Sequence, residues 1–247
     1  MNDFNRTVGA TRTMDMSTDA GLRSFMLGVY NKLALGLAVA GGLAFFVGSN
    51  SAAMSFFMTP PVVYAIMFGP IALIFGSSFF MRNPSPTGSA ILYWSIVSLI
   101  GIGLSAWVFQ ARIGSAGVTF TLIAKAFFIT ATAFGALSLF GYTTKRNLGP
   151  IGTFAIMGIW GVVALSVLGF FFGGFESGGF MMNAIMAAIF LLSAAITAWQ
   201  TQELKEGYYA LAGDQRGMAV MTNWGALNFF ISFVNMFQTI MYFMSSD

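Results

Sequence analysis

Seven long apolar stretches separated by short polar segments organise the chain: Leu27–Val47, Pro61–Phe80, Ser89–Phe109, Gly117–Phe140, Ile151–Gly173, Phe180–Trp199 and Trp224–Met244. Each has about the 20 mostly apolar residues that an α-helix needs to cross a hydrocarbon core ~30 Å thick. Spanning β-strands would instead alternate in polarity over about ten residues. The pattern therefore predicts an all-α integral membrane protein, a seven-transmembrane helical bundle over residues 27–247. Residues 1–26 carry Asp3, Arg6, Arg12, Asp15, Asp19 and Arg23 and have no apolar core of a signal peptide. They read as a polar, flexible cytoplasmic tail, which leaves the first span as its own insertion signal.

The basic residues orient the bundle. Arg6, Arg12, Arg23, Arg82, Lys145, Arg146, Lys205 and Arg216 fall on one side, and only Arg112 on the other. An excess of Lys and Arg marks cytoplasmic segments, so the N-terminus is expected inside and the C-terminus outside. The largest loop, Gln200–Thr222, is then cytoplasmic. Small residues four apart, Gly36 with Ala40 and Ala44, Gly101 with Ser105, Ala131 with Gly135 and Ala184 with Ala188, mark close helix packing. Gly69-Pro70 is expected to kink the second span, because proline removes a backbone donor.

Composition narrows the chemistry. Only 8% of the 247 residues are charged, 57% are hydrophobic, and there is no His and no Cys. That excludes disulfides, thiolate nucleophiles, Ser-His-Asp triads and imidazole or thiolate metal sites. The net charge of +3 is too small to suggest nucleic acid as a partner. No cofactor is indicated, and the lipid bilayer is the expected surrounding. No Asp or Glu occurs in any of the seven spans, which excludes aspartyl intramembrane proteases and carboxylate proton relays. An enzyme is therefore not expected.

Polar groups inside the spans are the remaining candidates. Asn228, Ser232, Asn235 and Thr239 recur at i, i+4, i+7 and i+11 and so share one face of the last helix. That face should point into the bundle, either for interhelical hydrogen bonding or as a hydrated, ion-conducting surface. Lys125 is the one charge deep in a span, about 12 Å from its outer end at 1.5 Å per residue. It either snorkels outward or pairs with Glu176, or else lines a polar pathway as a fixed positive charge. Lys32, near the inner end of the first span, is expected to snorkel.

Three segments resemble the Bax inhibitor-1 family, also called the transmembrane Bax inhibitor motif family, in its bacterial, YccA-like form. They are Arg23–Gly42, with Tyr30-Asn31 leading into Leu33-Ala34-Leu35-Gly36-Leu37; Thr130–Asn147, reading TATAFGALSLFGYTTKRN; and TAWQTQELKEGYY from Thr197 onward with FFISFVNMF at Phe229–Phe237. The resemblance implies a fold in which six helices surround a central seventh, in a bacterial inner membrane. It implies an ion leak channel of the calcium type, passing calcium or another cation and tied to stress response. The alternative it implies is a non-conducting regulator of a stress response or of a membrane-bound ATP-dependent protease.

The resemblance places two aspartates at the leak path, at the end of the sixth helix and within the seventh. Those positions are Gln200 and Ser232 here. A carboxylate pair shares a proton and titrates at raised pH, whereas these two side chains cannot titrate. The arginine expected in the second helix is absent between Pro61 and Phe80, and Asn147 stands where an acidic residue often follows Lys145-Arg146. Gln200, Ser232, Asn228 and Asn235 are the candidate pathway or gate residues, with the acidic switch replaced as a set.

Overall fold

In the computed structural model, the residues described are 3–80, 83–115, 117–172, 179–211 and 213–245, with side chains from Ala20 onward apart from those of residues 80, 166, 167 and 170–172. Eight helices and no strand occur among them: α1 (Asp3–Ser49), α2 (Ser51–Phe57), α3 (Val62–Phe80), α4 (Pro86–Ile113), α5 (Phe120–Thr143), α6 (Gly149–Phe172), α7 (Phe180–Ala210) and α8 (Gln215–Ser245). Six of them, α1, α3, α4, α5, α7 and α8, are long and apolar enough to cross a membrane, and α6 contributes a shorter apolar stretch, Gly149–Leu165.

Local chemistry sets the helix ends. Ser85 caps α4 by accepting from Gly88 N at 3.0 Å, Pro86 opens its first turn, and Gly114 closes it with φ 66°. Thr119 caps α5 by accepting from Leu122 N at 3.1 Å. Asn50 accepts from Ala52 N at 2.9 Å and so starts the short α2, an element the span pattern does not announce. Helix α3 continues through Pro70 from Val62 to Phe80.

Small residues decide how the helices approach. On α1, Gly36 lies against the Tyr93 hydroxyl, Gly48 against Ser105 and Val108, and Ala40 against Gly101, where an added Cβ would stand 2.7 Å from the Ala40 Cα. The Tyr93 hydroxyl donates to the Lys32 carbonyl at 2.6 Å, locking α4 onto α1. Likewise Gly141 of α5 abuts the backbone of Ala198, and Gly152 of α6 takes the Trp199 ring. The pair Ala131 and Gly135 is different: a Cβ on Gly135 would meet nothing.

The last helix is the most buried span, with 56% of its apolar window enclosed. It packs against α1, α4, α5 and α7, whereas α3 sits on α4 and α6 on α7. The expected ring of six around the seventh is thus a ring of four with two outer helices, which meet through Phe75 and Trp160 at 5.9 Å. Helix α3 is apolar on all sides and needs little protein cover in lipid, which is why it can stand outside. Phe229, Phe230, Met236 and Met241 of α8 are fully buried with Tyr93 and Ile96 of α4. Large apolar side chains such as Phe46, Phe79, Phe128 and Phe154 face outward. Packing begins at Leu22, Phe25 and Met26, which are buried inside the expected tail.

The expected loop Gln200–Thr222 is mostly helix. Helix α7 runs to Ala210 and α8 starts at Gln215, so only four residues separate them. Hydropathy marks where lipid ends, but Gln, Glu, Leu and Lys sustain a helix in water as well. At about 1.5 Å per residue these 31-residue helices are about 46 Å long, so each extends some 15 Å beyond a ~30 Å core. Gly207 against Met221 and Gly225 against Leu204 hold the two extensions close.

Arg23, Lys145, Arg146, Lys205 and Arg216 lie at one end of the bundle, because the start of α8 meets the start of α4 through Asn223 and Pro86 while α7 clamps the α5–α6 loop. Arg112 is at the other end, donating to the Ser49 carbonyl at 2.7 Å. Arg6, Arg12 and Arg82 lie outside the described side chains.

Candidate functional site between the last two helices

Antiparallel α7 and α8 bring Gln200 and Ser232 face to face. The Ser232 hydroxyl donates to Gln200 Oε1 at 3.4 Å, a long hydrogen bond. Ser232 is buried and Gln200 half-buried. One turn toward the cation-rich end, Asn228 lines a cavity of about 510 Å³ with Gln200, Glu203, Glu206 and Trp224. Glu203 and Glu206 are exposed, while Gln200, the partner of Ser232, is half-buried.

The rest of the stripe continues along α8. The Thr239 hydroxyl donates to the Asn235 carbonyl at 2.9 Å, and the Tyr242 hydroxyl donates to Asn183 Oδ1 of α7 at 3.0 Å. Ser232 and Thr239 are buried, Asn228 and Asn235 half-buried, and Gln238 exposed. The opposite faces of α8 carry the phenylalanines. The stripe therefore faces α7 and the less tightly filled side of the bundle, while the aromatic faces bear the tight packing.

Behind Gln200 runs a hydroxyl chain, buried at Ser138 and Thr201 and half-buried at Tyr30, that spacing alone does not announce. Tyr30 Oη lies 2.5 Å from Ser138 Oγ, Ser138 Oγ lies 3.0 Å from Thr201 Oγ1, and Thr201 donates to the Thr197 carbonyl at 2.9 Å. The Tyr30 ring stacks on Phe229, with centroids 5.6 Å apart. These contacts join α1, α5, α7 and α8 at one level and fix the rotation of α7 beside Ser232. The polar residues Ser138 and Thr201 in otherwise apolar runs are the signal that could have found them.

Gln202 is a second positioning residue. Its Nε2 donates to the Arg146 carbonyl and its Oε1 accepts from Leu148 N, both at 2.8 Å. Lys205 donates to the Tyr142 carbonyl at 3.1 Å and lies over the Tyr142 ring.

The two intramembrane lysines behave differently from each other. Lys32 does not snorkel free: it donates to Asn223 Oδ1, whose Nδ2 in turn donates to Pro86 O and to Ser89 Oγ at 2.9 and 2.7 Å. A desolvated ammonium keeps a fixed acceptor more cheaply than it reaches for water. Lys125 is exposed on α5, beside the buried Ala126, and does not contact the polar stripe. Its expected partner Glu176 lies outside the described residues. No cluster of His, Cys, Asp and Glu able to hold a metal occurs among the described residues.

The family model described as inhibitor of apoptosis-promoting Bax1 matches residues 22–247. The chain belongs to the Bax inhibitor-1 family. A protein of Caulobacter vibrioides is 42% identical over 262 residues, covering 100% of this chain and 99% of that relative. A protein of Rickettsia prowazekii is 33% identical, covering 100% and 99%. The inner membrane protein YbhL of Escherichia coli is 29% identical, covering 88% and 89%. With its six apolar spans, this Bax inhibitor-1 protein is a multi-pass protein of the bacterial inner membrane. The two positions where the family resemblance implies aspartates, Gln200 and Ser232, are in hydrogen-bond contact here.

Proposed function

We propose that the protein provides a cation leak path along the polar stripe of α8, with Gln200 and Ser232 as a constriction that does not titrate. The observation that carries this reading is the Gln200–Ser232 contact beside a cavity that Gln200, Asn228 and the exposed Glu203 and Glu206 line. Exposed carboxylates concentrate cations, and amide and hydroxyl oxygens replace part of a hydration shell. Lys125 lies off this path and does not oppose a cation. The architecture that goes with it has seven crossings, α6 included, since its 24 residues reach about 36 Å. The cation-rich end is cytoplasmic, with the N-terminus inside and the C-terminus outside. The protein acts without catalysis, as a passive conductor.

The test is calcium-dye flux into proteoliposomes holding the purified protein. The expected result is a slow flux that changes little between pH 6 and pH 8 and falls when Ser232 is replaced by leucine. A steep rise on acidification through neutral pH, or no flux at any pH, would overturn the reading.

A further inference from the structure

Of the small pair on α5, Ala131 packs against the core while Gly135 is exposed with nothing beside its Cβ position. Helices α1 and α5 do not pack closely along their length; they are joined through the Tyr30–Ser138 hydrogen bond. Between them lies a crevice of about 780 Å³, with Phe134 and Phe233 as floor and Ala131 and Gly135 as one wall. Its volume lies in the ~300–1,000 Å³ range of ligand sites. Beyond Phe233 lies a cavity of about 340 Å³ lined by apolar residues of α1, α4, α5 and α8.

Four of the crevice's residues are polar: Arg23 and Tyr142 at one end, and Tyr30 and Ser138 further in, which are hydrogen-bonded to each other. Arg23 and the Tyr142 hydroxyl border it at the cation-rich end, and Arg23 makes no ion pair with a described residue. Lys205 sits over the Tyr142 ring. From Arg23 to Leu33 is ten residues of helix, about 15 Å, which is half of a ~30 Å hydrocarbon core. A cationic, hydroxyl-bearing rim and a mostly apolar slot one leaflet deep match the shape and charge of one lipid molecule.

We propose that this crevice is a binding site for one anionic phospholipid from the leaflet at the cation-rich end. The phosphate sits at Arg23 and Tyr142, and an acyl chain runs over Gly135 and Ala131 to Phe233. Glycine at 135 keeps the slot open, because a side chain there would occupy the chain's place without touching protein. The site is independent of ion conduction, and so is its test.

Native mass spectrometry of the purified full chain, with dioleoyl phosphatidylglycerol or dioleoyl phosphatidylcholine added, reads the site directly. One phosphatidylglycerol per chain should be retained about fivefold better than phosphatidylcholine, the preference one basic residue supplies near an anionic headgroup. Arg23→Gln should bring that ratio close to one. Gly135→Phe should lower retention of both lipids. A phosphatidylglycerol with a photoactivatable acyl chain should label the peptide spanning residues 131–142 in the unaltered protein, which needs no substitution to fold. Equal retention of the two lipids by the unaltered protein, a ratio unchanged in Arg23→Gln, or no label on that peptide would each overturn the site.

Discussion

Ser232 and Gln200 meet as donor and acceptor at 3.4 Å across the seam between α7 and α8. Because neither side chain ionises, the contact is the same at every physiological pH.

Replacing both by aspartate should create a pH-dependent contact. Two carboxylates this close cannot both ionise cheaply, so one pKa rises above its value in the unfolded chain. A group whose folded pKa is raised contributes its stability below that pKa and loses it as pH rises through it. The double variant should therefore be less stable than the unaltered protein at pH 8 and recover toward it near pH 5, measured as thermal unfolding in detergent. Identical unfolding midpoints at both pH values would mean that the two positions do not meet.

Asn223 holds the Lys32 ammonium. Asn223→Leu leaves that charge without its acceptor and should cost about 1–3 kcal/mol. Adding Lys32→Met should return part of the loss, giving a coupling of about 0.5–3 kcal/mol in a double-mutant cycle. Strict additivity in denaturation would contradict the pairing.

Gln202 ties down the α5–α6 loop with two hydrogen bonds to its backbone. Gln202→Leu should free the Lys145-Arg146 peptide bonds for trypsin and speed cleavage there severalfold, with a stability loss of about 1–3 kcal/mol. Unchanged cleavage kinetics would argue that the loop is held by other contacts.

Gly141 lies so close to α7 that an added Cβ would stand 2.1 Å from the Ala198 carbonyl oxygen. Gly141→Ala must push α5 off α7 and should cost about 1–3 kcal/mol. Gly135→Ala, one and a half turns earlier on the same helix, meets nothing and should be near neutral or stabilising. Thermal unfolding of the two variants side by side separates contact from propensity.

Much of the architecture was legible because lipid imposes a one-dimensional rule: long apolar runs, and small residues where backbones touch. Gly36, Ala40 and Gly101 were identifiable as packing positions, and they form the α1–α4 seam. The facing of positions 200 and 232 was reachable only through resemblance, since 32 residues separate them. What stayed hidden depends on side chains meeting across the bundle. Lys32 reads as a snorkelling residue until Asn223, 191 positions away, is seen to accept from it. Gln202 looks like one polar residue among several until the carbonyl it binds is known. The extended ends of α7 and α8 were missed because apolarity reports the thickness of the solvent, not the length of the helix. Helix α2 could have been found, since Asn50 ahead of Ser51-Ala52-Ala53 is a recognisable cap.

The length of α7 and α8 has a mechanical consequence. Gln200 and Ser232 ride on the same unbroken helices as the hairpin that reaches about 15 Å past the hydrocarbon. Continuous helix on both sides therefore couples the turn at Gly213 and Asp214 to the Gln200–Ser232 contact.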